Sequence, residues 1–534
     1  MKLRDLLAGL SYRFMEDMDC PDFEQEVTAL CFDNRKPVPK GAAFVCIKGT
    51  KYDTHEFADD AKKQGACCII AEREVKISCD GEIKNMQSVD GENKAEKEQE
   101  GSLPPCVILV NDTRRALSIL AANWFSNPAR SMITIGITGT KGKSTTAGMI
   151  RSILEEDGQK TGIIGTIGVG IGDRYLHTDN TTPGPYELQQ YLRMMVDEGC
   201  RCMVMEVSSQ ALKQSRTAAI RFDYGIFTNI EPDHIGENEH RDFEEYMHCK
   251  SLLFKQCRHG SGNIDDAHFS DVTGASCCGI ESFGILKGEE VSQKDTKNGG
   301  SLKLPDIYAA NIHFTDSKGD LGIEYDACGA WEGHVELSIP GRFNIYNSLA
   351  AISVCRHIVK ESESIKRGLK KTKVKGRLEP VRISNSFSLM IDYAHNAMAL
   401  ESLLKTLREY HPKRLVCLFG CGGNRDRERR YEMGEVSSKL ADLTVVTSDN
   451  PRFEEPLDII DDILRGVRKA SGWHVVIPDR REAIRYCIEN AREGDMIVLA
   501  GKGQEDYQEI KGVKYPMDER DIIAQITGEK PDVC

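Results

Sequence analysis

A chain of 534 residues, 40% of them hydrophobic and 29% charged, is long and apolar enough for several cores, and three domains are expected. Its formal net charge of −13 argues against a nucleic-acid partner, whose phosphates it would repel, while local basic loops still allow a small anionic substrate. No run of about 18 apolar residues is present to span a membrane, no apolar signal-peptide stretch follows Met1-Lys2-Leu3-Arg4, and the 19 cysteines, scattered and without metal-type C-x-x-C spacing, read as reduced thiols of a cytoplasmic protein.

Residues 1–129 carry short apolar runs at Ala43–Ile47, Cys67–Ile70 and Val107–Val110 that read as strands, with a helix over Phe57–Gln64. This is α/β material without a phosphate loop of its own. Ser78–Pro105 is charge-rich and aperiodic, contains Gly81, Gly91, Gly101 and Pro104-Pro105, and reads as a solvated loop insertion.

The second unit, 130–375, opens on an apolar run, Met132–Ile135, that reads as a buried parallel strand. It leads into GITGTKGKSTT, Gly136 to Thr146, and then into Met149, Ile150, Ile153 and Leu154 at helical spacing. Strand, Gly-rich turn, Lys-Ser and helix is the layout of a phosphate-binding loop. The glycines let backbone N–H groups point at phosphate oxygens, and the helix N-terminus adds partial positive charge. Lys143 would reach the β- and γ-phosphates, and Ser144 or Thr145 would offer a hydroxyl to Mg²⁺. The spacing is looser than the strict G-x-x-x-x-G-K-[ST], since Gly136 lies one residue too far from Gly142. Further on, strands at Cys202–Met205 and Tyr224–Thr228 end at Glu206 and just before Asp233-His234, where ligands of a nucleotide site collect in open α/β sheets. The stretch 258–336 reads as antiparallel strands and loops, with short runs at Asn311–Phe314, Leu321–Tyr325 and Gly333–Leu337, and Asn344 and Asn347 open a helix over Ser348–Val359.

The third unit, 376–534, alternates strands (Ser388–Ile391, Leu415–Phe419, Leu443–Val446, His474–Ile477, Met496–Ala500) with helices, the pattern of a doubly wound parallel sheet. Three of its strands are followed by loops ending in charged residues: Gly420–Asp426, Asp449-Asn450-Pro451-Arg452 and Gly501–Glu505. All three are expected to face one crevice.

Taken together and in this order, the motifs resemble the Mur ligases of peptidoglycan synthesis, most closely the MurE type, which adds the third amino acid of the stem peptide. The resemblance rests on DNR at Asp33–Arg35, GAAFVCIKG, DTHEF, GITGTKGKSTT, NTTPGP, MEVSSQAL, FTNIEPDH, CKSLLF, GRFNIYN, GRLEP, DYAHN, FGCGGNRD, SDNPRFEEP and GKGQE, which cover nearly the whole chain. It implies an α/β fold of three domains. These are a UDP-substrate-binding domain over 1–129, a central P-loop-type ATPase domain over 130–375, and an amino-acid-binding domain with a doubly wound Rossmann-like sheet over 376–534. It also implies an enzyme in which ATP phosphorylates the D-glutamate γ-carboxylate of UDP-MurNAc-L-Ala-D-Glu and an incoming amine attacks the acyl phosphate; a monomer is expected. Mg²⁺ would offset the charge that develops in such a transfer.

By that resemblance Ser144 and Glu206 would hold one Mg²⁺ and His234 a second, with Lys250 matching a carbamylated lysine, so that Lys143, Glu206, His234 and Lys250 form the catalytic set. Residue type alone would make Lys250 a helix-surface cation. Gly139, Thr140, Lys141, Gly142, Lys143, Ser144 and Thr145 match the ATP loop, and Asn344, Asn347, Arg377, Asp392 and His395 match positions around adenine, ribose and phosphates. Asn34, Arg35, Thr181, Thr182, Ser208, Gln214 and Arg216 match the grip on the nucleotide-linked dipeptide. Arg425, Asp449, Asn450, Arg452, Gly501 and Glu505 match the amino-acid pocket, where Asp-Asn-Pro-Arg goes with meso-diaminopimelate. A guanidinium forks onto a carboxylate, and diaminopimelate has one where lysine has none. The bland role for Arg452 is an exposed pair with Glu454 or Glu455.

The chain departs from the family pattern at Asn34 (for serine), Lys141 (for asparagine), Gln210 and Gln504 (each for histidine), Asn396-Ala397-Met398 (for Thr-Pro-Asp), and in a longer Gly236–His240. Competing readings are a ligase that takes lysine or another diamine, the more distant folate polyglutamate ligases, and a catalytically silent nucleotide-binding homologue. A silent homologue would be expected to lose Lys143, Glu206, His234 or Lys250, and all four are present.

Overall fold

The apolar run after Met132 forms the strand Ile133–Thr138, buried from Thr134 onward, at the centre of the largest sheet. The computed structural model describes residues 1–15, 21–49, 52–78, 106–233, 235–236, 239–286, 304–317 and 320–528. Beyond Ser78, the segment read as a loop insertion lies outside them. The described chain falls into two compact units: 1–133 with 182–201 and 208–221, and 134–181 with 202–207 and 222–534.

In the first unit, Leu30–Cys31, Ala43–Val45, Cys68–Ala71 and Cys106–Leu109 pair in parallel, and Arg13–Phe14 adds an antiparallel edge. Alternate residues feed two cores. Val45, Ile70 and Ile108 pack on one face with the helix Thr113–Trp124, and Phe44, Ile69 and Val107 pack on the other. Each fully buried side chain of this size contributes about 1.5–3 kcal/mol relative to exposure. The helix Pro185–Asp197, opened by a proline in its first turn, brings Tyr186 between Phe32 and Phe125 at ring distances of 5.7 and 5.1 Å.

The larger unit holds an eleven-stranded sheet. Its order runs Gly333–Leu337, Asp320–Gly329, Ile307–Ser317, Ile280–Ile285, Cys257–Asn263, Phe222–Phe227, Ile133–Thr138, Cys202–Glu206, Thr161–Gly165, Gly168–Ile171, Arg174–Leu176. The centre is parallel and both ends turn antiparallel. This corrects the expectation for 258–336. Only the part from Asp320 to Leu337 pairs antiparallel throughout, whereas Cys257–Asn263 and Ile280–Ile285 extend the parallel sheet. The reason is that small polar residues are buried there by hydrogen bonding rather than by apolar character. Ser261 Oγ lies 2.6 Å from Ser353 Oγ, and Asn263 Nδ2 donates to Thr228 O at 3.1 Å.

The same unit contains a six-stranded sheet ordered Glu379–Pro380, Ser388–Asp392, Asp495–Ala500, Arg414–Phe419, Leu443–Val446, His474–Val476. All pairs are parallel except the short first one. Its helices Glu428–Leu440 and Pro456–Ala470 cross closely, because a Cβ at Gly466 would lie 1.9 Å from Tyr431 O. Gly466→Ala is therefore expected to destabilise the protein by about 1–3 kcal/mol through overpacking. Urea denaturation checks this, and an unchanged midpoint would show that the helices can part without cost.

Candidate functional site

The phosphate-loop strand ends at Thr138, and the chain turns through Gly139 and Gly142 into the helix Lys143–Glu156. Gly142 has φ +84° and packs against the helix Phe343–Cys355; a Cβ there would meet Asn347 Oδ1 at 2.3 Å. That oxygen also accepts from Thr146 Oγ1 at 3.3 Å, Asn347 Nδ2 donates to Asn344 Oδ1 at 2.8 Å, and Asn344 Nδ2 donates to Pro340 O at 2.7 Å. Asn344 and Asn347 are thus buried supports of the loop. Lys141 forms an ion pair with Glu231 at 2.7 Å, Thr140 Oγ1 lies 3.0 Å from Tyr246 Oη, and Thr145 is buried.

Glu206 ends the strand Cys202–Glu206 and is almost fully buried. Its Oε2 accepts from Ser144 Oγ at 2.9 Å and its Oε1 from Thr166 N at 2.9 Å, while Thr166 Oγ1 lies 3.2 Å from Thr181 Oγ1. A buried carboxylate and a hydroxyl, joined beside the Gly-rich loop, form a hard oxygen donor pair.

Two lysines converge on a single carbonyl. Lys143 Nζ donates to Gly139 O at 2.8 Å and to Thr140 O at 3.0 Å, and Lys250 Nζ donates to the same Gly139 O at 2.8 Å. Lys250, on the helix Phe243–Ser251, is 2% exposed and lies 4.4 Å above the Tyr246 ring. It is no surface cation, which corrects the reading that residue type alone would give. Burial, reinforced by the Lys143 charge and opposed by Asp233, pushes its pKa well below that of an ordinary lysine. Lys143 is lowered as well, chiefly by withdrawal from water, with Glu206 opposing and the Arg377 guanidinium adding to the shift. His234 lies outside the described residues.

Arg377 stacks over the Tyr393 ring at 5.0 Å, and His395 lies beside that ring at 4.7 Å between centroids. Asp392 accepts from Leu378 N and Ala394 N, each at 2.8 Å, and withdrawal from water raises its pKa. Tyr393 thus carries Arg377 and His395 on its ring, next in the chain to Asp392. Within DYAHN it has no role by resemblance; its place between the strand end and His395 is the signal that the sequence carries.

In the smaller unit, Thr182 Oγ1 accepts from Ser208 N at 3.0 Å, and Ser208 Oγ caps the helix Ser209–Lys213. Arg216 Nη1 donates to Thr182 O at 2.6 Å and its Nη2 to Gln214 Oε1 at 2.9 Å, so these four residues form one cluster. Asn34 is exposed. Arg35, also exposed, forks onto Asp33 at 2.8 and 2.9 Å, which holds that carboxyl at about 2.

The six residues matched to the amino-acid pocket, Arg425, Asp449, Asn450, Arg452, Gly501 and Glu505, all line one cavity of about 230 Å³. Tyr393, His395 and Asp426, the last residue of the Gly420–Asp426 loop, line it too, as do Arg429 and Arg430, which lie outside the quoted motifs. Arg452 has φ +53° and is tied to the hairpin Tyr507–Ile510/Val513–Pro516: its N–H donates to Glu509 O at 3.0 Å. Its Nε donates to Glu509 Oε2 at 3.0 Å and its Nη1 to Gly423 O at 2.7 Å. The pairing with Glu454 or Glu455 does not occur. Glu454 is taken by the buried Arg430, at 2.8 Å.

Among the departures from the family pattern, Asn396 caps the helix Ala397–Arg408 through Ala399 N at 2.8 Å, which an Asx side chain does as well as threonine. Gln210 Nε2 and Gln504 Oε1 are buried and have no hydrogen-bond partner among the described residues. No helix of the described residues is long and apolar enough to cross a membrane.

Comparison with known proteins matches residues 34–125 to the Mur ligase family catalytic domain, 137–355 to the Mur ligase middle domain, and 376–503 to the Mur ligase glutamate ligase domain. A UDP-N-acetylmuramoyl-L-alanyl-D-glutamate–2,6-diaminopimelate ligase of Caldanaerobacter subterraneus subsp. tengcongensis is 37% identical over 531 residues, covering 99% of each chain. A solved structure of an enzyme of that name superposes with a TM-score of 0.68 at 24% identity, covering 99% of each chain. The MurF ligase of Thermotoga maritima, solved in complex with ADP, gives a TM-score of 0.52 at 17% identity over 88% of this chain and 93% of its own.

Proposed function

The chain belongs to the Mur ligase family, and we propose that it joins meso-diaminopimelate to the D-glutamate γ-carboxylate of UDP-MurNAc-L-Ala-D-Glu at the expense of ATP. The carrying observation is the cavity in which Arg425 and Arg452 stand with Asp449 and Glu505. Arginines and carboxylates side by side in one cavity complement a zwitterion with two carboxylates and two amines. The relatives' name points to the same substrate pair.

A carboxylate is a poor electrophile, and phosphorylation supplies the missing leaving group. The γ-phosphoryl group passes to the γ-carboxylate oxygen. The amine nitrogen of diaminopimelate then forms the C–N bond as phosphate leaves with the C–O bond electrons, and the nitrogen loses its proton. Lys143 and the loop N–H groups orient the transferring phosphate. Thr182, Ser208, Gln214 and Arg216 would grip the dipeptide, and Asn34 and Arg35 the uridine end. Arg377 and His395, both against the Tyr393 ring, and Asp392 would hold the adenosine. The hydroxyl of Ser144 and the carboxylate of Glu206 fit one magnesium ion, His234 would hold a second, and the ions would supply charge neutralisation to the transfer. Lys250 as a bare ammonium would repel that ion. Its lowered pKa favours the neutral amine, which adds to CO₂ with loss of a proton to give a carbamate. Residues 1–129, 130–375 and 376–534 would serve the uridine substrate, ATP and the amino acid respectively.

Phosphate release should require ATP, UDP-MurNAc-L-Ala-D-Glu and meso-diaminopimelate together. Equal release without either acceptor would overturn the reading. A guanidinium has five N–H donors; Arg452 spends two, on Glu509 and Gly423, and keeps three for a carboxylate. Arg452→Ala is therefore expected to raise KM for diaminopimelate by about tenfold or more, the scale of one lost charged hydrogen bond, with KM for ATP unchanged. An unaltered diaminopimelate KM would return Arg452 to a purely structural pair with Glu509.

A further inference from the structure

Between Gly501 and Glu505, which line the cavity, stands a lysine of the GKGQE motif that the resemblance gave no role and that does not itself line the cavity. Lys502 is wholly buried, and an ammonium has three N–H donors. Lys502 Nζ donates to Asn450 Oδ1 at 2.6 Å, to Tyr507 O at 2.7 Å and to Glu505 Oε2 at 3.3 Å, and Asp449 Oδ1 lies 3.8 Å away. All three donors are taken by protein, so none is left for a ligand.

Its partners are residues that line the cavity. Asn450 Oδ1 also accepts from Glu509 N at 2.9 Å, and Asn450 Nδ2 donates to Glu505 Oε2 at 2.9 Å. The Asn450 amide can then sit in only one of its two flip states: with oxygen and nitrogen exchanged, an NH₂ would face the ammonium and Glu509 N. Glu505 is fixed likewise. Its Oε2 takes both bonds from below, and Oε1 remains for the pocket. Arg480, also buried, lies 4.0 Å from Asp449 on the other side, so Asp449 is flanked by two cations that solvent does not screen.

We propose that Lys502 is the positioning residue of the amino-acid pocket: its buried ammonium locks Asn450 and Glu505 into the orientations in which they receive the incoming amino acid, without touching it. The inference rests on the reading of this cavity as the amino-acid pocket. A group that acts only through the two residues it holds must affect the binding of one substrate and leave the other two alone, because supporting hydrogen bonds set the precision of the groups they hold.

The test is a full steady-state analysis of Lys502→Met, which keeps the side-chain length and removes the charge. KM for meso-diaminopimelate should rise about 10- to 100-fold, the range seen when a supporting partner is lost, with KM for ATP and for UDP-MurNAc-L-Ala-D-Glu unchanged and kcat at saturating amino acid largely kept. Lys502→Arg, which keeps the charge, should recover part of the loss. Equal rises in all three KM values, or a fall in kcat alone, would overturn the proposal. If Lys502→Met does not fold, Lys502→Arg decides by the same pattern; failure of both to fold would make the ammonium a folding determinant and also overturn it. The wild type is measured first. Should it reject diaminopimelate and use another amino acid, the substrate reading fails by itself, and the positioning role is read on the amino acid it does use.

Discussion

Lys143→Ala is expected to lower kcat by about 10²–10³-fold, the loss typical of removing one preorganised donor aimed at developing charge. The lysine is the first residue of the helix after the loop and donates to two carbonyls of that loop. These two bonds hold the ammonium against the loop, and a donor fixed in this way needs little reorganisation at the moment of transfer. Folding should be nearly unaffected, because Gly139, Gly142 and the Asn347 contact shape the backbone turn and Lys250 still donates to Gly139 O when the Lys143 bonds are lost. Steady-state phosphate release with a parallel melting curve separates the two effects. A folded variant with near wild-type turnover would remove the loop from the chemistry.

Lys250→Ala should be nearly as damaging for a different reason. The native amine is buried, shares Gly139 O with Lys143 and has a depressed pKa. As an unmodified cation it would oppose both a magnesium ion and the neighbouring lysine; as a carbamate it attracts both. Because its pKa is lowered, protonation needs a lower pH than for an ordinary lysine, so the neutral amine that reacts with CO₂ persists further toward acid. Short carboxylates such as acetate should restore part of the activity of the alanine variant by replacing the lost oxygens. Electron density at the lysine tip is the direct check on the wild type. A bare amine, together with full activity in the alanine variant, would contradict the proposal.

Much of the fold is written in hydrophobic runs. The strands at Cys202–Glu206, Leu443–Val446 and Asp495–Ala500 are short, apolar and buried, so burial alone locates them. Cys257–Asn263 escapes that logic, because Gly260, Ser261, Gly262 and Asn263 are buried through hydrogen bonds and tight packing. A polar composition then looks like a loop. The site divides the same way. Glycine and lysine spacing marks the phosphate loop, since backbone geometry demands those residues locally. The burial of Lys250 is not legible, because nothing in Cys249-Lys250-Ser251 tells that the helix turns this face inward. Nor is the role of Lys502, whose partners come from loops separated by up to 52 residues. The Arg452–Glu509 pair needed the hairpin at 507–516 to be folded back before it could be seen.

The central claim is the identity of the joined amino acid, and one competition experiment addresses it most directly. The chain is supplied with ATP, UDP-MurNAc-L-Ala-D-Glu and equal concentrations of meso-diaminopimelate and L-lysine, and the two tripeptide products are counted by mass spectrometry at low conversion. Arg452 keeps N–H donors for a second carboxylate, which lysine does not have, and sites built around a buried polar contact reject analogues that lack it. The diaminopimelate product should therefore exceed the lysine product by roughly a hundredfold or more; equal amounts, or an excess of the lysine product, would contradict the account.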